Sequence, residues 1–86
     1  MENRIALLGL VVEEAEAAEP LNALLHEYKD YIVGRMGIPY RERGISLISI
    51  VIDGPGDIIN SLSGKAGQLK GISAKTLYAK LPEEKQ

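Results

Sequence analysis

Two stretches of the chain are apolar on both parities. Ile5 to Val12 sets Ile5, Leu7 and Val11 against Leu8, Leu10 and Val12, and Ile45 to Asp53 sets Ile45, Leu47 and Val51 against Ile48, Ile50 and Ile52. Both have the length and the β-branched content of strands, and both need cover on two sides. After the first, the period changes: Leu21, Leu24, Leu25 and Tyr28 fall at i, i+3, i+4 and i+7, one stripe of a helix. Pro20 fits only a first turn, so this helix is expected to start near Ala18 or Glu19 and to run towards Asp30, with any earlier turn irregular.

Tyr31 to Ile38 predicts a second strand, with Gly34, Arg35 and Gly37 inside it. Glycines in a strand mark a bulge or a close backbone approach, and a charge there suggests an edge. Pro39 to Gly44 reads as the connection to the third strand, Ile45 to Asp53. Asp53-Gly54-Pro55 gives a stop and a helix start. Ile58, Ile59, Leu62, Ala66 and Leu69 then form the inner stripe of a second helix, weakened near Gly64 and Gly67. A fourth strand follows from Ile72 to Ala79, and Leu81 to Gln86 is expected to be a fraying polar tail.

The order βαββαβ predicts an α+β, ferredoxin-like sandwich: a four-stranded antiparallel sheet with two helices on one face, its ordered core at about residues 4–80. A sheet covered on one face should alternate, and the two most apolar strands do not. About six large aliphatic side chains are left on the open side whichever parity faces the helices. The expectation is a homodimer or higher homo-oligomer packed through that open face.

Eighty-six residues make one domain, which buries about 60–65% of its unfolded surface, so association is a natural supplement to its core. With no cysteine, disulfides, iron–sulfur clusters and thiolate metal sites are excluded. No apolar run approaches the roughly 20 residues of a membrane helix, and no leader is evident, so a cytoplasmic protein with no membrane partner is expected. The net charge is −2, and Glu13, Glu14, Glu16, Glu19, Glu27 and Asp30 hold half of the acids beside a single Lys29. That segment has the wrong sign for direct nucleic-acid binding.

The chemistries that such a fold can host fail one by one. The first and third strands carry no Phe, Tyr or Trp on which RNA bases could stack. Val12-Glu13-Glu14-Ala15 is not a phosphate cradle, and Gly64-Lys65-Ala66-Gly67 lacks the frame of a phosphate loop. His26 is the sole histidine, lies off the apolar stripe and should face solvent, without partners for a metal. Ser46, Ser49, Ser61 and Ser63 have no base at nucleophile spacing. No catalytic residue, metal site or cofactor is therefore expected. What remains is Arg41-Glu42-Arg43 with Tyr40 and Arg35 close in sequence, side chains able to grip a carboxylate or phosphate, or a partner protein. The same turn also reads as a solvated hairpin tip, its arginines paired with Glu42 or with the acidic helix.

Gly34 to Ser46, G-R-M-G-I-P-Y-R-E-R-G-I-S, resembles the signature of small regulators of the iron-only hydrogenase system, and D-G-P-G-D-I-I-N-S-L-S-G-K-A-G from Asp53 to Gly67 agrees with it. The resemblance covers roughly Arg4 to Lys80. It implies a stand-alone, ACT-like regulatory domain, non-enzymatic, with no residue-level function to carry over; a role in hydrogenase assembly or cofactor handling is the alternative. Structural relatives of that family include the metal-sensing domain of nickel-responsive repressors, which uses His and Cys ligands. The corresponding positions are expected at Ser49, Val51 and near Asp57, which do not make such a set. No counterpart of the repressors' ribbon-helix-helix is expected ahead of a strand that begins by Ile5. ACT domains that bind amino acids tend to use a glycine-containing turn after the first strand, which here is rich in glutamate.

Overall fold

The strands that do not alternate occupy the centre of the sheet. The computed structural model describes residues 2–80, and the tail expected at 81–86 lies outside them. The strands are β1 (Asn3–Val12), β2 (Ile32–Tyr40), β3 (Ile45–Pro55) and β4 (Ile72–Tyr78); the helices are α1 (Ala18–Glu27) and α2 (Gly56–Gln68). The sheet order is β2-β3-β1-β4 and every pairing is antiparallel, the ferredoxin-like topology read from the sequence. Both helices lie on one face. Ala6, Leu8, Leu10 and Val12 of β1 and Ile50 and Ile52 of β3 are buried there with Leu21, Leu25, Ile59, Leu62 and Ala66. Each of these leucines and isoleucines contributes roughly 1.5–3 kcal/mol by leaving water.

Boundaries differ from the sequence reading where pairing overrides composition. β1 begins at Asn3 because Asn3 and Arg4 pair with Pro55 and Gly54, which also carries β3 two residues past Asp53. Pro55 consequently caps α2 instead of opening it. α1 ends at Glu27, three residues before Asp30, and a 3-10 turn at Lys29–Tyr31 takes Tyr31 out of β2. Pro39 and Tyr40 belong to β2, paired with Ser46 and Ile45; an edge strand tolerates a proline, whose missing N–H costs no ladder bond on the free side.

The bulge in β2 falls between Ile32 and Gly34, beside the first of the glycines expected to mark one. Ile32 pairs with Ile52, but Gly34 already pairs with Val51, so one residue is extra. Because side chains alternate with period 2, this flips every later residue of the strand. Arg35 opposes buried Ile50 and turns to the helix side, whereas Met36 and Ile38 oppose Ser49 and Leu47 and turn to the open face.

Polar groups between the layers are paired. The Tyr28 hydroxyl and Ser61 Oγ share a hydrogen bond of 2.9 Å, Thr76 Oγ1 donates to Ser63 Oγ at 2.8 Å, and the Tyr78 hydroxyl donates to Asn60 Oδ1 at 2.7 Å. The Arg4 guanidinium stands 3.9 Å from the centre of the Tyr78 ring, a cation–π contact. Two of the serines without a base thus serve packing. The bond to Ser61, helped by the nearby Lys65, holds the Tyr28 phenol below its ordinary pKa of 10.0 despite its burial.

Candidate functional site

Beyond Tyr40 the chain makes one 3-10 turn, Arg41–Arg43, and Gly44 at φ 69° returns it into β3. That left-handed conformation is the reason for a glycine here. The Gly44 amide donates to the Arg41 carbonyl at 3.1 Å, and no side chain caps the turn. Backbone alone closes it, which leaves both arginines exposed. Arg41 lines a cavity of about 420 Å³ between the hairpin and the segment after β1. Pro39, Gly44, Ile45 and Ser46 form one wall, and Glu14, Ala15 and Ala18 the other. A guanidinium facing a carboxylate across a mainly apolar space suits a small ligand with one anionic group better than a polyanion.

The four residues singled out in the sequence do not form one cluster. Arg41 belongs to this cavity, and Arg43 lies on the same turn outside its lining. Tyr40 pairs with Ile45 and is 43% exposed on the open face. Arg35 faces the other way, its Nη2 donating to Asn22 Oδ1 of α1 at 3.2 Å. The alternation within β2 separates it from the turn.

The open face is largely apolar, with Ser49, Asp53, Ser73 and Lys75 set among its aliphatic side chains. Ile5, Leu7 and Val11 of β1 and Ile45, Leu47 and Val51 of β3 supply the six aliphatic side chains anticipated there, and the bulge adds Met36, Ile38 and Tyr40. Met36 is 62% and Leu77 of β4 68% exposed. Sequence reasoning missed Gly9. It sits mid-strand between Ser49 and Lys75, and a Cβ built there would meet nothing nearer than the Lys75 carbonyl at 3.9 Å. Its missing side chain leaves a hollow of about 350 Å³ walled by Val11, Met36, Ile38 and Leu47. A glycine inside the most apolar strand was the available signal.

The family model described as "TM1266-like: Iron-only hydrogenase system regulator, putative" matches residues 4–76. The chain belongs to this family. A solved structure in the same fold, "The structure of uncharacterized protein TM1266 from Thermotoga maritima", is 38% identical, with a TM-score of 0.88 over 92% of this chain and all of that one. Proteins named "Putative nickel-responsive regulator" from Saccharolobus islandicus strains L.S.2.15 and M.14.25 are 32% identical over 79 residues. The match spans 92% of this chain and 59% of theirs. A nickel site does not fit this TM1266-like chain. Ser49 and Val51 lie on the open face between apolar neighbours, and among the described residues no three His, Cys, Asp or Glu side chains are grouped to hold a metal ion. No helix among the described residues is long and apolar enough to cross a membrane.

Proposed function

We propose that this chain is a non-enzymatic regulatory domain of a hydrogenase system. It acts as a homodimer or higher homo-oligomer packed through the open sheet face, and it takes a protein partner or a small anionic ligand at the Tyr40–Arg43 turn. The observation that carries this reading is the open face itself. Leu7, Met36, Ile38, Tyr40, Leu47, Val51 and Leu77 are each at least 36% exposed on it. They are spread over all four strands, an extended apolar patch of the kind that marks an interaction surface. Tyr40 belongs to that face and is bonded directly to Arg41 of the cavity. A ligand that reorders the turn therefore acts on the rim of the interface, a physical route from binding to association.

Native mass spectrometry at micromolar concentration tests the association. A dimer or larger species that becomes monomer on Val51→Asp, with the circular dichroism spectrum retained, supports the reading; a wild-type monomer overturns it. Pull-down from the producing cell, with wild type against the Arg41→Ala/Arg43→Ala variant, tests the turn, and equal recovery of partner removes it. Operator-specific gel shifts by the isolated protein at physiological salt would replace this reading with direct DNA binding.

A further inference from the structure

On the helix side of the sheet, away from the open face, α1 and the edge strand β2 flank an open cleft of about 250 Å³ lined by Asn22, Leu25, His26, Lys29, Ile32 and Arg35. The first four fall at i, i+3, i+4 and i+7, so one stripe running along α1 and into the turn after it forms a wall. Arg35 completes the opposite wall because the Val33 bulge turns it to this side. Leu25 and Ile32 pack into the core as a floor, while Asn22, His26, Lys29 and Arg35 remain exposed around it.

The charge pattern is specific. This segment holds half of the acids of the chain, yet none of Glu13, Glu14, Glu16, Glu19, Glu27 or Asp30 lines the cleft. What lines it is a guanidinium, an ammonium, an imidazole and a carboxamide. Asn22 Oδ1 accepts the 3.2 Å bond from Arg35 Nη2, which orients the planar fork and leaves its remaining N–H groups to donate. Two fixed positive charges and further donors, converging from two elements with no carboxylate among them, suit a dianionic oxyanion better than a single carboxylate.

We infer that the cleft between α1 and β2 binds a small phosphate-bearing molecule, with Arg35 and Lys29 holding the phosphate oxygens, His26 donating a further hydrogen bond and Asn22 positioning Arg35. The site is separate from the Tyr40–Arg43 turn and does not depend on the association proposed above.

Titration of the ¹⁵N-labelled full chain with inorganic phosphate at constant ionic strength, followed by amide shifts, tests it. Saturable shifts confined to Asn22, His26, Lys29, Arg35 and their neighbours are expected, weakened about ten-fold or more by Arg35→Ala or Lys29→Ala. The Arg41→Ala/Arg43→Ala variant should titrate as wild type, which keeps this site distinguishable from the turn. Asn22→Ala should weaken binding less than Arg35→Ala, and Arg35→Lys should restore it only in part. The amide spectrum of each variant reports its fold directly, and these exposed positions leave the core intact. Shifts that rise linearly without saturation, shifts indifferent to Arg35→Ala and Lys29→Ala, or acetate binding as tightly as phosphate would each overturn the assignment.

Discussion

Tyr31 packs its ring on the backbone of Gly54, so closely that a Cβ at Gly54 would fall 2.8 Å from Cδ1 of the ring. Gly54 is buried near the end of β3, and Tyr31 reaches it from the turn that precedes β2. The contact fastens the end of the first helical segment to the start of the second. Gly54→Ala should destabilise the domain by about 1–3 kcal/mol, as overpacking does, measured by urea unfolding. Truncating the ring in the Gly54→Ala/Tyr31→Ala double variant should give a non-additive cost, since the second change removes the atom that the first collides with.

Gly71 is a second position where backbone and neighbour both demand glycine. Its φ is 83°, and a Cβ there would stand 2.9 Å from the Cβ of Glu14. The Glu13 amide also donates to the Gly71 carbonyl at 2.7 Å, so the turn before β4 is tied to the end of β1. Gly71→Ala should cost about 1–3 kcal/mol, seen as a lower denaturation midpoint with an unchanged m-value.

Filling the hollow over Gly9 separates folding from association. A Cβ there makes only an ordinary contact with the Lys75 carbonyl at 3.9 Å and removes the penalty of a mid-strand glycine, about 0.5–1 kcal/mol. Gly9→Val should leave the monomer as stable as wild type or slightly more so, while raising the dissociation constant of self-association by shape conflict. Analytical ultracentrifugation beside thermal unfolding reads the two effects separately.

The Tyr28 phenol, lowered from 10.0 mainly by its bond to Ser61, should titrate below the ordinary tyrosine range, and Ser61→Ala should raise it. The linkage follows from the sign. A depressed folded-state pKa contributes stability that is fully present above the unfolded value and is lost as pH falls through the folded value. The stability difference between wild type and Tyr28→Phe should therefore widen as pH rises towards 10.0 and stay flat near neutrality. NMR of ring-labelled tyrosine and denaturant melts across the alkaline range measure the two quantities.

The layout of the fold was legible because β1 and β3 are the most apolar strands, and they take the two central places of the sheet. The stripe of Leu21, Leu25 and Tyr28 and that of Ile59, Leu62 and Ala66 were equally plain, and all six residues are buried. The direction of Arg35 was not legible. Alternation from Ile32 without a bulge would send it to the open face and Met36 and Ile38 inward; the extra residue at Val33 reverses both, and Gly34 beside it signals an irregularity without fixing which way the strand turns afterwards. Asn22, His26 and Lys29 had helical spacing, but their shared wall becomes visible only when the strand opposite them is placed.

β2 has no buried residue along its whole length. Among the described residues its only sheet neighbour is β3, so its local opening costs less than that of β1 or β3. Hydrogen exchange should release its amides well before those of β1 and β3. Arg35, Met36, Ile38 and Tyr40 all ride on it, on two faces. Whatever occupies the cleft, or covers the open face, thereby clamps the same detachable strand, and each occupant lowers the entropy that the other must spend to hold it.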